Sequence, residues 1–267
     1  MNAIVCMKWG DLFGPEYVNI LYRHVAARTR TPFRFICLTE DGRGLRPEVE
    51  VRPLPALSLP GGAEPRQQGR WRKLSLFLPG VVDDFDLVMY LDLDLVILGS
   101  LDPFFERARG GGLHIIREWN PALWEMLPVA LRPVRGANSS VMCWNPREQH
   151  EIALSYQADP EGCYRDCWNE QEHVWKKARG LQFWPENWCV SFKRACVWYY
   201  PFNLVFKKVP KPDHASIVVF HGRPRPVDLV RDDQSRWGAR RKFGYGPVPW
   251  MKDYWRAGLE GSTDGAP

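Results

Sequence analysis

Short apolar runs alternating with helical periodicity set the tightest limit on what this chain can fold into. AIVCM, Ala3–Met7, is an apolar run of strand length. After the loop KWGDLFGP, Tyr17, Val18, Leu21, Tyr22 and Val25 recur at helical spacing, with Pro15 placed for a first helical turn. FRFICLT, Phe33–Thr39, is a second strand candidate closed by the turn EDGRG, and VEVRPL is a third. A strand–helix–strand opening of this kind predicts an α/β fold with parallel strands.

The pattern continues along the chain. Residues 53–69 are rich in Pro, Gly and Gln and read as a loop with room to move. WRKLSLFLP predicts a short helix ending near Pro79, and LVMYLD a strand. In DPFFERA, Asp102 is placed to cap a helix and Pro103 to occupy its first position. GLHIIRE and SVMCW predict strands, PREQHEIALSY and NEQEHVWKKA helices, and SIVVF (Ser216–Phe220) a last strand ending at His221. Beyond it the apolar periodicity fades, and 256–267 read as a disordered tail. The expected organisation is one domain over 1–255. It divides into 1–110, 111–226 and a basic extension (227–255).

Composition removes several alternatives. An apolar content of 45 % supports a sizeable core, and no apolar run approaches the ~20 residues of a membrane span. The N-terminal residues lack the pattern of a secretory signal. Seven cysteines form no dense framework, and Cys163 with Cys167 lacks partners at zinc-site spacing, so reduced thiols and a cytoplasmic location are expected. Charge is uneven: residues 193–260 carry 14 Lys/Arg against 6 Asp/Glu. Such a basic quarter suits an anion site or peripheral contact with an anionic membrane surface. Nothing beyond scattered Arg and Trp points to nucleic acid.

In YLDLDLVILGSLDPFF, Asp92 and Asp94 interrupt an apolar run. Buried, unpaired carboxylates are costly. Two positions apart in an extended chain they face one side and repel unless a cation lies between them. Oxygen ligands at a strand end suit Mg²⁺ or Mn²⁺. A second D-x-D, Asp84 and Asp86, precedes the strand in a polar patch and reads as a solvated turn.

LDLDLVILGSLDPFF resembles the metal-binding segment of family 8 glycosyltransferases, which have the GT-A fold. Four other pieces fall in the matching order. WRKLSLFLP is similar to the family's aromatic-x-Arg-Leu segment, with Lys73 at the Arg position. GANSSVMCWN matches an Asn-Ser-Gly strand through Asn138 and Ser139. NEQEHVW is similar to an Asp-Gln-Asp element through Glu170, Gln171 and Glu172. HGRPRP resembles a His-x-Gly-x-x-Lys-Pro close, one residue shorter, with His221, Gly222 and Arg225 at its matched positions.

The resemblance implies a Rossmann-like, mixed but mostly parallel sheet flanked by helices, with a nucleotide-binding part over 1–110 and an acceptor and catalytic part over 111–226. It also implies transfer of a sugar from a nucleotide diphosphate sugar, a UDP-sugar, with retention of configuration, to a glycan, lipid or small-molecule acceptor. Asp92, Asp94 and His221 would hold Mn²⁺, or Mg²⁺, with Arg225 adding positive charge at the diphosphate. Lys73, Asp92, Asn138, Ser139 and Glu170 would contact the donor, and Gln171 with Glu170 and Glu172 would lie at the reacting face. Met7, Lys8 and Trp9 would line the nucleotide site, because ligands bind beyond the carboxyl ends of parallel strands. Trp119, Trp124, Trp168, Trp184 and Trp188 are candidate platforms for sugar faces.

Two rivals stand beside this reading. Asp92-x-Asp94 also resembles the first motif of haloacid-dehalogenase-type phosphatases, which need a later acidic pair; Asp232-Asp233 is the candidate. A nucleotide-sugar-binding protein without turnover fits the departures in the Gln and His motifs.

Overall fold

A computed structural model describes residues 1–59, 69–120, 124, 127–133 and 135–260. The opening unit forms as the periodicity predicts. β1 (Asn2–Lys8), α1 (Pro15–Ala26) and β2 (Phe33–Thr39) make a parallel β–α–β unit, and β3 (Glu50–Pro53) adds outside β2. β4 (Val88–Leu91) pairs parallel to β1 on its other side. The chain continues through β5 (Leu95–Ile97), α2 (Asp102–Ala108), β6 (His114–Arg117) and β7 (Ala137–Trp144). It then runs through α3 (Glu151–Ala158), α4 (Pro160–Asp166), α5 (Glu170–Lys177) and β8 (Gln182–Phe183). The main sheet has the order β3-β2-β1-β4-β7-β6-β8, with β7 antiparallel to both neighbours. It is the mixed, mostly parallel sheet expected.

Both faces of this sheet are covered, which is why its strands read as unbroken apolar runs. Ile4, Cys6, Phe35, Cys37, Met89 and Leu91 pack with Val18, Leu21 and Val25 of α1. The alternate residues Val5, Ile36, Leu38, Val88 and Tyr90 pack with Trp71, Leu74, Phe77, Ile152 and Tyr156. Trp71 belongs to a turn at 69–71 that continues as the 3-10 helix Arg72–Phe77, the short helix anticipated before Pro79.

A second sheet decides where the site lies. β9 (Cys189–Ser191) is followed by α6 (Phe192–Ala195) and β10 (Ile217–Val219). β10 lies between β5 and β9, antiparallel to the first and parallel to the second. β4 and β5 therefore belong to different sheets, and Asp92-Leu93-Asp94 is the turn that carries the chain from one to the other. The expectation of one extended strand carrying both carboxylates on one side is corrected accordingly.

Two further expectations change. Asp102 does not cap α2; its carboxylate accepts from the backbone N–H groups of Arg30 and Thr31 and the hydroxyls of Thr31 and Ser100, which ties the end of α1 to the start of α2. Those donors hold its pKa down at about 2. The final quarter is ordered further than its sequence suggests. β11 (Arg236–Ala239) and β12 (Lys242–Tyr245) form a hairpin, and α7 (Pro249–Leu259) buries Met251 and Tyr254. Tyr254 Oη accepts from Ile97 N–H at 3.1 Å, and its ring stacks on His24 at 3.6 Å. Gly258 lies so close to Ile20 that a Cβ there would be 2.7 Å from Cγ2. The tail predicted from 256 is thus helical to Leu259; 261–267, like 60–68 of the predicted mobile loop, lie outside the described residues. No helix among the described residues is long and apolar enough to cross a membrane.

Candidate active site

Beyond the carboxyl end of β4, residues from four separate stretches of the chain converge on one ammonium. Lys73, on the 3-10 helix, approaches both carboxylate oxygens of Asp92, at 2.9 Å from Oδ1 and 3.1 Å from Oδ2. Its side chain is only 8 % exposed, so this pair is largely shielded from water. The same Nζ donates to Ser139 Oγ at 3.1 Å and lies 5.0 Å above the Tyr90 ring. Tyr90 Oη donates to Asp92 Oδ1 at 2.6 Å. Tyr90, near the end of β4 and two residues before Asp92, is a neighbour that strand alternation could have flagged. Asp92 N–H donates to Ser140 O at 3.0 Å, fixing the turn against β7.

α5 delivers the next two groups. Asn169 caps it by accepting from Glu172 N–H at 3.0 Å, which aims the first turn at β7. Ser139 Oγ donates to Glu170 Oε1 at 3.4 Å, and Ser139 N–H donates to Gln171 Oε1 at 2.8 Å. Glu170 is 3 % exposed and its Oε2 is buried without a hydrogen-bond partner. Burial pushes its pKa up, against the pull of Lys73. Glu172 does not join this cluster: it accepts from Trp168 N–H at 2.7 Å and pairs with Lys176 at 2.8 Å on the surface, so its predicted place at the reacting face is not supported. Asn138 is buried beside Ser139, and its Oδ1 accepts from Ser140 N–H at 3.0 Å.

The second half of the site hangs on the small sheet. Phe220 N–H donates to Asp94 O at 3.3 Å, so β5 and β10 bring Asp94 and His221 to neighbouring positions. Asp94 keeps some exposure, yet no side chain among the described residues donates to its carboxylate. Desolvation raises its pKa to about 8, with Asp92 adding to the rise and Lys73 and Arg225 opposing it. His221 Nε2 lies 2.7 Å from Ser191 Oγ, and its ring stacks on Trp119 at 5.3 Å. Burial, with Lys193 and Arg194 nearby, lowers the imidazole's pKa to about 4, so it is neutral at pH 7. Gly222 takes φ +74°, a turn a larger residue would resist, and Lys193 Nζ donates to His221 O beside it.

The other predicted residues are more loosely placed. Met7 is 3 % exposed and belongs to the core, so it offers only backbone. Lys8 Nζ donates to Asp41 O at 3.2 Å, and Trp9 is half-buried at the end of β1. Among the tryptophans, Trp184 is core, Trp168 is 91 % exposed, and Trp119 lies against His221. Trp119 also borders a cavity of about 200 Å³ lined by Glu118, Arg117, Ser191 and Arg194. Glu118, which sequence reasoning missed, has its pKa raised by burial and its carboxylate bonded to Asn138. Its only sequence signal is a carboxylate closing the strand GLHIIRE. Asp232 and Asp233 are exposed and serve local partners, Lys252 and Ser235. They cannot supply the second acidic pair of a phosphatase. Asp84 and Asp86 lie outside the site, Asp84 paired with Arg52 at 2.8 Å.

As a metal site the donor set is chemically suitable but not gathered. Asp94 has a carboxylate with no side-chain donor among the described residues and His221 a neutral ring, yet Lys73 engages Asp92 and Ser191 engages His221. Among the described residues no three His, Cys, Asp or Glu side chains are placed together to hold an ion.

No protein-family model matches this sequence, and no curated protein matches it. Solved structures do. The galactosyltransferase LgtC with donor and acceptor sugar analogues aligns with a TM-score of 0.62 at 15 % identity, over 99 % of this chain and 97 % of LgtC. An active-site glutamine-to-glutamate mutant of LgtC gives 0.61 at 16 % identity over the same shares. The glycosyltransferase GlyE of Streptococcus pneumoniae TIGR4 gives 0.57 at 14 % identity, covering 98 % of this chain and 61 % of GlyE. The chain has the GT-A type fold of these glycosyltransferases.

Proposed function

We propose that this protein is a glycosyltransferase of the family 8 kind that moves a sugar from a UDP-sugar to an acceptor hydroxyl with retention of configuration, using Mn²⁺ or Mg²⁺. One observation carries the reading: at the end of β4 three carboxyl groups, Asp92, Asp94 and Glu170, gather around one buried ammonium, Lys73, which pairs directly with Asp92 alone. A site that desolvates three carboxyl groups, and keeps the Asp94 carboxyl protonated for want of a close cation, is matched to a ligand that brings positive charge. The Oε2 of Glu170, buried without a partner, is likewise suited to a sugar hydroxyl.

Asp94, Asp92 and His221 would hold the divalent ion, whose role is to stabilise negative charge on the departing diphosphate. Arg225, whose charge already reaches Asp94, reinforces that end. Lys73, Ser139 and Glu170 form a polar wall for the donor sugar. Gln171 spends its carbonyl on Ser139 N–H; its amide NH₂ makes no bond among the described residues and is free to donate to the reacting sugar. Glu118 faces the neighbouring cavity, where it would accept a hydrogen bond from an acceptor hydroxyl. Attack then comes from the same face as the leaving diphosphate, which takes the acceptor proton.

Nucleotide release from a panel of nucleotide sugars with Mn²⁺ tests this. The wild type releases nucleotide in a chelator-sensitive manner and Asp94→Ala does not. Release that ignores chelator, or survives in Asp94→Ala, removes the metal assignment. Metal-dependent binding without sugar release across the panel would make the protein a binder.

A further inference from the structure

Residues 198–206 carry their polarity inside out. Trp198, Tyr200, Phe202, Leu204, Val205 and Phe206 are 47–76 % exposed. Asn203, in their midst, is 7 % exposed; its amide donates to Phe243 O at 3.1 Å, anchoring the 3-10 turn Phe202–Leu204 to the β11–β12 hairpin. Further bonds brace the turn: Phe206 N–H to Phe202 O at 2.8 Å, and Tyr200 N–H to Arg241 O at 2.9 Å. The apolar side chains are therefore held outward by a defined turn whose polar group is turned in. Clustered exposure of this extent marks a contact surface.

The surrounding charge says what the contact is. Lys207 and Lys208 follow the patch directly, and Arg240 and Arg241 form the hairpin turn beside Tyr200. All four are exposed, and none makes an ion pair among the described residues. Aromatic rings with a polar tip, aliphatic side chains and unpaired cations on one face are the chemistry of a membrane–water interface. A protein partner of ordinary composition would leave those cations unmatched.

We propose that the 198–206 turn, with Lys207, Lys208, Arg240 and Arg241, docks this protein on an anionic lipid bilayer. Resting on the transferase reading, the placement names the acceptor class. Arg194, on the wall of the cavity that holds Glu118, bonds Tyr199 Oη at 3.3 Å, so the acceptor cavity opens beside the docking face. An acceptor whose hydroxyl stands just above the headgroups, a lipid-linked sugar, is suited to that position.

Co-sedimentation with phosphatidylcholine vesicles, with and without phosphatidylglycerol at about one lipid in three, tests the docking face. The full chain binds the anionic vesicles and not the neutral ones, and salt weakens binding. The triple variant Phe202→Ser/Val205→Ser/Phe206→Ser and the pair Lys207→Glu/Lys208→Glu each reduce binding by about ten-fold or more, their circular dichroism unchanged. Equal binding by either variant, or none by the wild type, overturns the proposal. So does sedimentation velocity showing that wild type self-associates and the triple variant does not, since a second copy would then be the occupant. None of these residues touches the donor site, so Mn²⁺-dependent nucleotide release stays unchanged in both variants. Vesicle binding without nucleotide release in the wild type would retain the docking face and remove the transferase reading; release without vesicle binding would do the reverse.

Discussion

The two halves of the site are built on opposite plans. Around Lys73 nearly every polar atom has a partner: Asp92 takes Lys73 and Tyr90, and Ser139 takes Lys73, Glu170 and Gln171. Around Asp94 compensation is weaker, with a carboxylate that among the described residues takes a hydrogen bond only from its own backbone N–H, a neutral imidazole, and Lys73 and Arg225 acting from a distance. The first half is internally hydrogen-bonded without ligand, and on the proposed reading it would form the wall for the donor sugar. In the second, desolvation raises the Asp94 pKa to about 8, and on the proposed reading a bound cation would complete it.

The sharpest way to break this contrast is Asp94→Asn, which keeps shape and removes charge. Mn²⁺-dependent nucleotide release should fall by about a thousand-fold or more, while the apo protein is no less stable. The sign follows from Asp94's raised pKa. Its folded-state preference for the proton favours folding below the ordinary carboxylate pKa, and that advantage is lost as pH rises through about 8. Asp94→Asn should therefore flatten that decline in a denaturant series from pH 5 to 9. A variant that unfolds more easily at every pH would show that Asp94 is structural.

Lys73→Met strikes the opposite half and should fail in the opposite way. It leaves the partly exposed Asp92 without its paired ammonium and removes the nearest cation from buried Glu170, at a cost of about 2–4 kcal/mol in urea unfolding. Lys73→Arg should recover part of that stability. If Lys73→Met retained full stability and lost only turnover, the first half would be as ligand-dependent as the second.

This division also explains what the sequence disclosed. Lys73, Ser139, Glu170 and Gln171 were singled out by their order and spacing along the chain, and the fold brings them together. Asp92 and Asp94 were legible as an energetic anomaly, yet their geometry was not. That Leu95–Ile97 leaves the main sheet depends on its pairing with Ile217–Val219, some 120 residues later. No local pattern reveals such a partner. α7 was hidden for a related reason: its buried stripe is short, broken by polar residues, and identified only by its contacts with α1 and β5. Glu172 lies apart because a motif match carries no direction, whereas the Asn169 cap leaves Glu170 and Gln171 facing Ser139 and Glu172 facing Trp168 and Lys176.

Gln171→Ala sharpens the comparison within the first half. Its carbonyl is structural through Ser139 N–H and its amide NH₂ is free for substrate. Turnover should fall by about a hundred-fold, with Mn²⁺ affinity unchanged. Gln171→Glu keeps the acceptor for Ser139 but removes the donor, so its fold should be intact and its kcat low. Mn²⁺ binding itself should be proton-linked. Because the ion displaces the Asp94 proton, affinity should climb close to ten-fold per pH unit from 6 toward 8 and level off above. A flat profile would mean that the ion binds without Asp94.

The smallest effect should come from Glu172→Ala, and its smallness is informative. Glu172 stands next to Gln171 in the motif and would share its catalytic loss if the element acted as one unit. Its contacts are the Lys176 pair and Trp168 N–H, both at the surface. Exposed pairs of this kind contribute little, so Tm should move by less than about 2 °C and kcat by less than about two-fold. A large kcat loss in Glu172→Ala, with Mn²⁺ affinity and Tm unchanged, would show that α5 turns in the Michaelis complex. The boundary between the fixed and the ligand-completed half would then have to be redrawn through that helix.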